Sequence, residues 1–319
     1  MFKKELILTL LNINKIGRKT INKLIHKSLP LSTHPQCILN FILVNLPNYN
    51  SNLTIQDIIL AKNKSLNIID YCEKTNIKIM TVLDEEFPLK LKIIPDNPVV
   101  IFYKGNKSCI INNRSVAIIG NRHPTLESRE IAKKLANSFS TNNYTIVSGL
   151  AHGIDYSAHI STVKNHKKTL AVLPSGISNI YPSDHKYLCD DILYNNGCLL
   201  SEYFPFETPY KNHFIERDRL QSALSLGVIV IECDIKSGTM HTVNFAREQS
   251  KIVCCYKHDN MQYSCRSGNM KLLKDKNTII IDNNFNINTL EDLLRNKLYE
   301  INNLAFDLIL SSEQIYFEI

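Results

Sequence analysis

The chain has 319 residues, 44% hydrophobic and 21% charged, with 37 basic against 30 acidic side chains and a formal net charge of +7. That profile excludes a disordered chain, leaves room for one large domain and one or two small ones, and fits a polyanionic partner without requiring one. No stretch approaches the ~20 apolar residues of a membrane span, and MFKKELILTLLNINK has too short an apolar region for a signal peptide, so a cytoplasmic protein is expected.

Residues 1–65 read as a small helical domain. Leu6, Leu10, Ile13 and Ile16 share a face, Gly17 interrupts the pattern, and Ile21, Leu24 and Ile25 resume it, which predicts two short helices joined by NKIGRK. Lys15, Arg18 and Lys19 beside that glycine turn would suit a phosphate, as in helix-hairpin-helix modules, but a helical packing domain with solvated basic residues is the favoured reading. From Ile77 the texture changes to short β-branched runs. IKIMTVL is followed by a proline-bounded loop and a further strand in VVIFYKGN.

A regular alternation follows. The predicted strands are SVAII, YTIVS (144–148), TLAVL (169–173), CLLSEY (198–203), GVIVIE (227–232) and KIVCCY (251–256); helices between them start near Thr125, Ile154, Ser183 and Thr239, with one running through Arg219. Strands without polar alternation, separated by amphipathic helices, predict an α/β fold: a Rossmann-like parallel sheet with helices on both faces. Residues 66–285 form this domain, and 286–319 a short tail with a helix near Thr289 carrying Leu290, Leu293 and Leu294. The nine cysteines contain no C-x-x-C pair and read as buried thiols; Cys254, Cys255, His258 and Cys265 match no zinc spacing.

Right-handed crossovers place the loops after the strands along one sheet edge. Four of those loops share a chemistry: Gly120-Asn121-Arg122, Ser148-Gly149 with Ala151-His152-Gly153-Ile154-Asp155 behind it, Pro174-Ser175-Gly176, and Ser237-Gly238-Thr239 opening a helix. Glycine admits an anion close to the backbone, hydroxyls add donors, and a helix N-terminus adds partial positive charge. Neither G-x-G-x-x-G nor G-x-x-x-x-G-K-[ST] is present, so neither a dinucleotide site nor an ATPase loop is supported, and no cofactor is expected.

The runs SVAIIGNRHPT, TIVSGLAHGIDYSAH, TLAVLPSGISNIYP, LLSEYF, HFIERDRLQSALS, VIVIECDIKSGTMHTVNFAREQSKIV and SGNMKLLKDKNTIII occur in order over residues 75–282. In this the chain resembles the DNA-processing protein A (DprA/Smf) family, Rossmann-like proteins that bind single-stranded DNA and hand it to a RecA-type recombinase. The resemblance implies a non-enzymatic DNA-binding protein of transformation or recombination, and a homodimer formed through residues 228–256, where VIVIE and KIVCCY would supply an apolar sheet edge. It also implies a DNA site. Gly120, Asn121 and Arg122 match the family's G-S-R turn, Lys211 and Phe214 a lysine and an aromatic beside the bound strand, and Ser148, Gly149, Ser237, Gly238 and Thr239 the surrounding pocket. Arg217 and Arg219 match an R-N-R run. Two residues apart on a helix they face different ways, so one is expected at DNA and the other in the fold.

The match has departures. Asn121 stands for the usual Ser, Asp218 for the usual Asn, CCYKHDN replaces a Pro-Gly turn, and the tail is too short for a winged helix. Asp155 and Glu202 read as helix caps or arginine partners, and His152, His159 and His213 as polar linkers or phosphate donors rather than metal ligands, so no metal site is assigned. Two alternatives remain: a related DNA sensor of an anti-phage or mobile-element system, and a nucleotide-binding, phosphoribohydrolase-like member of the wider superfamily. The second lacks the glutamate expected after Gly238-Thr239, leaving Asp234 as the carboxylate with local reach.

Overall fold

A computed structural model of the chain describes residues 2–47, 53–285 and 287–317, with side chains to residue 303. The elements in order are α1 (Phe2–Leu11), α2 (Arg18–Leu24), α3 (Pro35–Asn45), α4 (Ile55–Lys74), β1 (Lys78–Thr81), α5 (Leu89–Lys92), β2 (Val100–Gly105), α6 (Ser108–Ile111), β3 (Ser115–Ile119), α7 (Leu126–Thr141), β4 (Thr145–Ser148) and α8 (Ile154–Lys164). They continue as β5 (Thr169–Val172), α9 (Lys186–Tyr194), β6 (Cys198–Ser201), α10 (Lys211–Ala223), β7 (Gly227–Val230), α11 (Thr239–Glu248), β8 (Ile252–Tyr256), α12 (Ser267–Leu272), β9 (Thr278–Ile281) and α13 (Ile287–Phe317).

The strands form one nine-stranded sheet in the order β1-β2-β6-β5-β4-β3-β7-β8-β9. From β6 to β9 every pairing is parallel, as the apolar runs require, because strands buried on both faces need no polar side. Side chains alternate between the faces: Val116 and Ile118 of β3 enter one apolar core, Ala117 and Ile119 the other. The chain steps outward from β3 through β4 and β5 to β6, then returns to the other side of β3 with β7. Loops leaving β3 and β7 therefore diverge at their C-terminal ends, which opens a crevice there.

Three features depart from the sequence expectation. The sheet is not wholly parallel, since β1 and β2 add an antiparallel extension against β6. Residues 228–256 are not an edge: β7 lies between β3 and β8, and β9 pairs along the outside of β8. The four-residue run TIII follows a lysine- and asparagine-rich turn and only partly buries its side chains, so it carries little apolar signal of its own. Finally, α4 runs unbroken through residue 65, where the sequence texture placed the boundary of the helical domain.

α4 opens with a capping box in which the Thr54 hydroxyl accepts from Asp57 N and the Asp57 carboxylate accepts from Thr54 N. The apolar faces of α1, α3 and α4 share a core with Val100 and Phe102 of β2, so the helical part is packed onto the sheet. At the other end, Leu290 and Leu294 of α13 are buried against the core that holds α7 and α8. Among the described residues no helix is long and apolar enough to cross a membrane.

Candidate nucleic-acid interface

The crevice between the β3 and β7 loops is an open cleft of about 320 Å³. Gly120, Asn121 and Arg122 form one wall, Ser237, Gly238 and Thr239 the opposite one, and Phe214, Arg217 and Asp218 of α10 the floor and rim. Eight of the twelve residues expected at the site meet there: Gly120, Asn121, Arg122, Phe214, Arg217, Ser237, Gly238 and Thr239. The other four do not line this cleft. Gly149 borders an adjoining small cavity with Arg122, Phe214 and Arg217, while Ser148, Lys211 and Arg219 border neither.

Close packing fixes the glycine positions. A Cβ on Gly120 would lie 2.6 Å from Ile154 Cγ1, one on Gly149 would lie 2.0 Å from Arg217 Nη1, and Gly153 combines φ +78° with a 2.3 Å approach to Asn121 O. Asn121 lies along the cleft, but its side chain turns back into the protein. Its Nδ2 donates to Cys265 O (3.0 Å) and its Oδ1 accepts from Asp234 N (3.2 Å), which ties the β3 loop to the segments after β7 and β8. Serine could not span both contacts, a physical reason for asparagine here. Ser148 is also scaffold: it is fully buried and donates to Ile118 O at 2.7 Å.

Beneath the turn lies Glu232, a residue the sequence reading passed over. It is fully buried and accepts from Thr125 N, Thr125 Oγ1, Ser128 Oγ and Arg266 Nε, so it anchors the N-terminus of α7 beside the Asn121 turn. Burial acts to raise its pKa, yet the hydrogen bonds from Ser128 and Thr125 hold it below the ordinary value. The available signal was a single carboxylate ending the apolar run VIVIE. Lys90 was missed likewise; its buried amino group donates to Asn112 O, Ser115 Oγ and Leu224 O, each at 2.9 Å, and burial lowers its pKa well below the ordinary value.

The basic residues divide sharply. Arg122 is exposed, its guanidinium stands 5.3 Å over the Phe214 ring, and among the described residues it makes no ion pair. Phe214 in turn meets Tyr181 edge-on at 5.4 Å, giving two adjacent aromatic rings at the rim. Lys211 is exposed one turn before Phe214 at the start of α10, a spacing that puts it on the same side of the helix. Arg217 is 6% exposed and is held by Gly149 O, Val172 O and the Asp218 carboxylate. Arg219 is 2% exposed and grips both carboxylate oxygens of Glu202 at 2.7 and 2.8 Å, with Asp96 behind it. Asp96 and Glu216 also hold Arg18 of α2, so this basic residue beside the NKIGRK glycine is used to dock the helical part.

The acidic groups have equally definite places. Asp155 accepts from Gly149 N and Ala151 N and shapes the β4 loop. Asp218 faces the cleft; burial pushes its pKa up to about 6, partly offset by Arg217. Asp234 is engaged by Lys236 N (2.7 Å) and Ser267 Oγ (2.9 Å), hydrogen bonds that lower its pKa and hold the turn. His159 is buried against Thr169 Oγ1, and His213 stacks on Tyr203 at 3.8 Å. Cys254 and Cys255 point into opposite cores and do not converge with His258.

These features define a Rossmann-like α/β protein with an exposed cation and aromatic rings at its switch-point cleft. The sequence profile of the family described as DNA recombination-mediator protein A matches residues 78–291, and the chain belongs to that family. It is 36% identical over 177 residues to the DNA processing protein DprA of Bacillus subtilis, covering 56% of this chain and 59% of that one. It is 38% identical over 173 residues to the DprA of Streptococcus pneumoniae, covering 54% and 60%; the chain thus matches about six-tenths of the length of these relatives.

Two solved structures are similar. The X-ray structure of DprA from Streptococcus pneumoniae has a TM-score of 0.60 and 30% identity, covering 84% of this chain and 95% of that one. DNA processing protein A from Helicobacter pylori, solved for its single-stranded DNA binding mode, has a TM-score of 0.58 and 28% identity, covering 72% and 96%.

Proposed function

We propose that the protein binds single-stranded DNA along the switch-point cleft and presents it to a RecA-type recombinase in transformation or recombination, acting as a homodimer and without chemistry on the strand. The observation that carries the reading is the pairing of exposed Arg122, which has no ion-pair partner among the described residues, with the Phe214 ring at the mouth of a glycine-walled cleft. Single-strand binders combine cationic contacts to the backbone with aromatic faces for the bases, and a base edge held in a duplex could not use those faces. The single-stranded DNA binding of the Helicobacter pylori relative supports the same assignment.

Within this reading Arg122 and Lys211 contact phosphates, Phe214 stacks, Gly238 lets the strand approach because an added Cβ there meets nothing within 4 Å, Gly120 and Gly149 keep the loops packed beneath it, and Ser237 and Thr239 donate at the start of α11. Arg217 shapes the floor. A nucleotide-cleaving site would need a positioned base; Asp234 is committed to its own turn, and of the carboxylates lining the cleft Asp218 is paired with Arg217 and Asp155 with the Gly149 and Ala151 amides. The test is equilibrium binding of a labelled oligonucleotide, single- against double-stranded, with preference for the single strand expected; equal affinity would contradict the reading.

A further inference from the structure

Beside the cleft, the β4–α8 loop meets the short turn preceding α9 and brings together His152, Asp184 and His185. One ligand atom from each lies within 4.8 Å of the other two. His152 Nε2 stands 3.7 Å from Asp184 Oδ1. Two nitrogen or oxygen ligands on one tetrahedral ion sit roughly 3.3 Å apart at bond lengths of ~2.05 Å, so closing this pair around an ion takes a shift of a few tenths of an ångström.

His185 is the ordered member. It is 5% exposed, and its Nδ1 lies 2.8 Å from Leu150 O. A carbonyl only accepts, so Nδ1 carries the proton and Nε2 keeps its lone pair. A backbone carbonyl on the far nitrogen is how metal-binding imidazoles are oriented and made more basic. The His152 ring packs edge-on at 4.5 Å and Tyr156 lies at 5.1 Å, which holds the two imidazoles together. An exposed His–Asp ion pair contributes little in water and would not need the second imidazole.

We propose that His152, Asp184 and His185 form a three-ligand site for a divalent transition ion of the zinc class. Two imidazoles and one carboxylate favour zinc, nickel or cobalt over magnesium and calcium, which take oxygen donors. Three protein ligands leave coordination positions open to solvent. His152 also lines the small cavity that holds Arg122 and Phe214, so the bound ion adds positive charge next to the cleft. The site rests on its own geometry, and its failure would leave the DNA reading intact.

The test is titration of the full chain, stripped with a chelator, with cobalt(II) followed by displacement with zinc(II). One equivalent should bind with visible d–d absorption and without the near-ultraviolet charge-transfer band of a thiolate ligand. His152→Ala and Asp184→Ala remove side chains that are 45% and 66% exposed and spare the fold; each should weaken binding at least tenfold with an unchanged circular dichroism spectrum. Cobalt binding that both variants retain, a thiolate band from the free cysteines, or no binding at tens of micromolar would each overturn the proposal.

Discussion

Arg219 and Arg122 carry the same charge and end in opposite surroundings, one buried and one exposed. Because Arg219 neutralises Glu202 inside the protein, Arg219→Ala leaves a buried carboxylate unpaired and is expected to cost about 3–5 kcal/mol of stability. Urea unfolding checks this; a loss of DNA affinity with unchanged stability would put Arg219 at the strand instead. Asp218 gives a pH-dependent counterpart. Its folded pKa of about 6 lies above the ordinary 3.8, so its contribution is full at low pH and is lost as pH rises through about 6. Burial is the main cause; of the charged and titratable neighbours, Arg217 and His241 act to lower the value and Asp155 to raise it. Asp218→Asn should therefore stabilise the protein at pH 7.5, by at most about 3 kcal/mol for a shift of roughly two units, and change little at pH 4. An equal change at both pH values would contradict the shift. The sequence marked Asp218 as a departure; that Arg217 and Arg219 are both buried was not legible, because helical spacing gives direction but not what stands opposite.

At the scale of elements, apolar runs announced β3 to β8 and their right-handed crossovers, and so the edge where the site sits. The antiparallel pairing of β1 and β2 with β6 was hidden, since a strand's own residues do not state the direction of its neighbour. β9 was hidden for a different reason: its half-buried pattern resembles a surface segment. The start of α13 was partly legible through Leu290 and Leu294, and both prove to be 1% exposed. Leu294 packs over Gly227 at the start of β7, where an added Cβ would lie 3.0 Å from its Cδ2. Leu294→Ala should cost 2–5 kcal/mol, roughly the cost of emptying a core leucine site, measured as a lower urea midpoint with an unchanged slope. A cost below about 0.5 kcal/mol, typical of a surface site, would show that α13 does not hold the sheet.

For the whole molecule, the interior position of β7 and β8 moves any sheet-edge dimer contact outward. On this side β9 is the outer strand and leaves Ile280 44% exposed, the kind of edge that a two-fold partner covers. Light scattering at tens of micromolar should give twice the chain mass, and Ile280→Lys should shift it toward the monomer; a strictly monomeric mass for the unaltered chain would remove the dimer from the proposal. If the cleft holds a single strand through its phosphates with Arg122 as a direct contact, as proposed, the salt dependence of single-stranded oligonucleotide binding must differ between the unaltered chain and Arg122→Ala. Arg122→Ala should lose about 1–3 kcal/mol of binding, as for a charge-assisted contact. Its logarithmic salt slope should be shallower by about 0.7, the share of one phosphate on a single strand. Equal affinities and equal slopes would contradict the proposal.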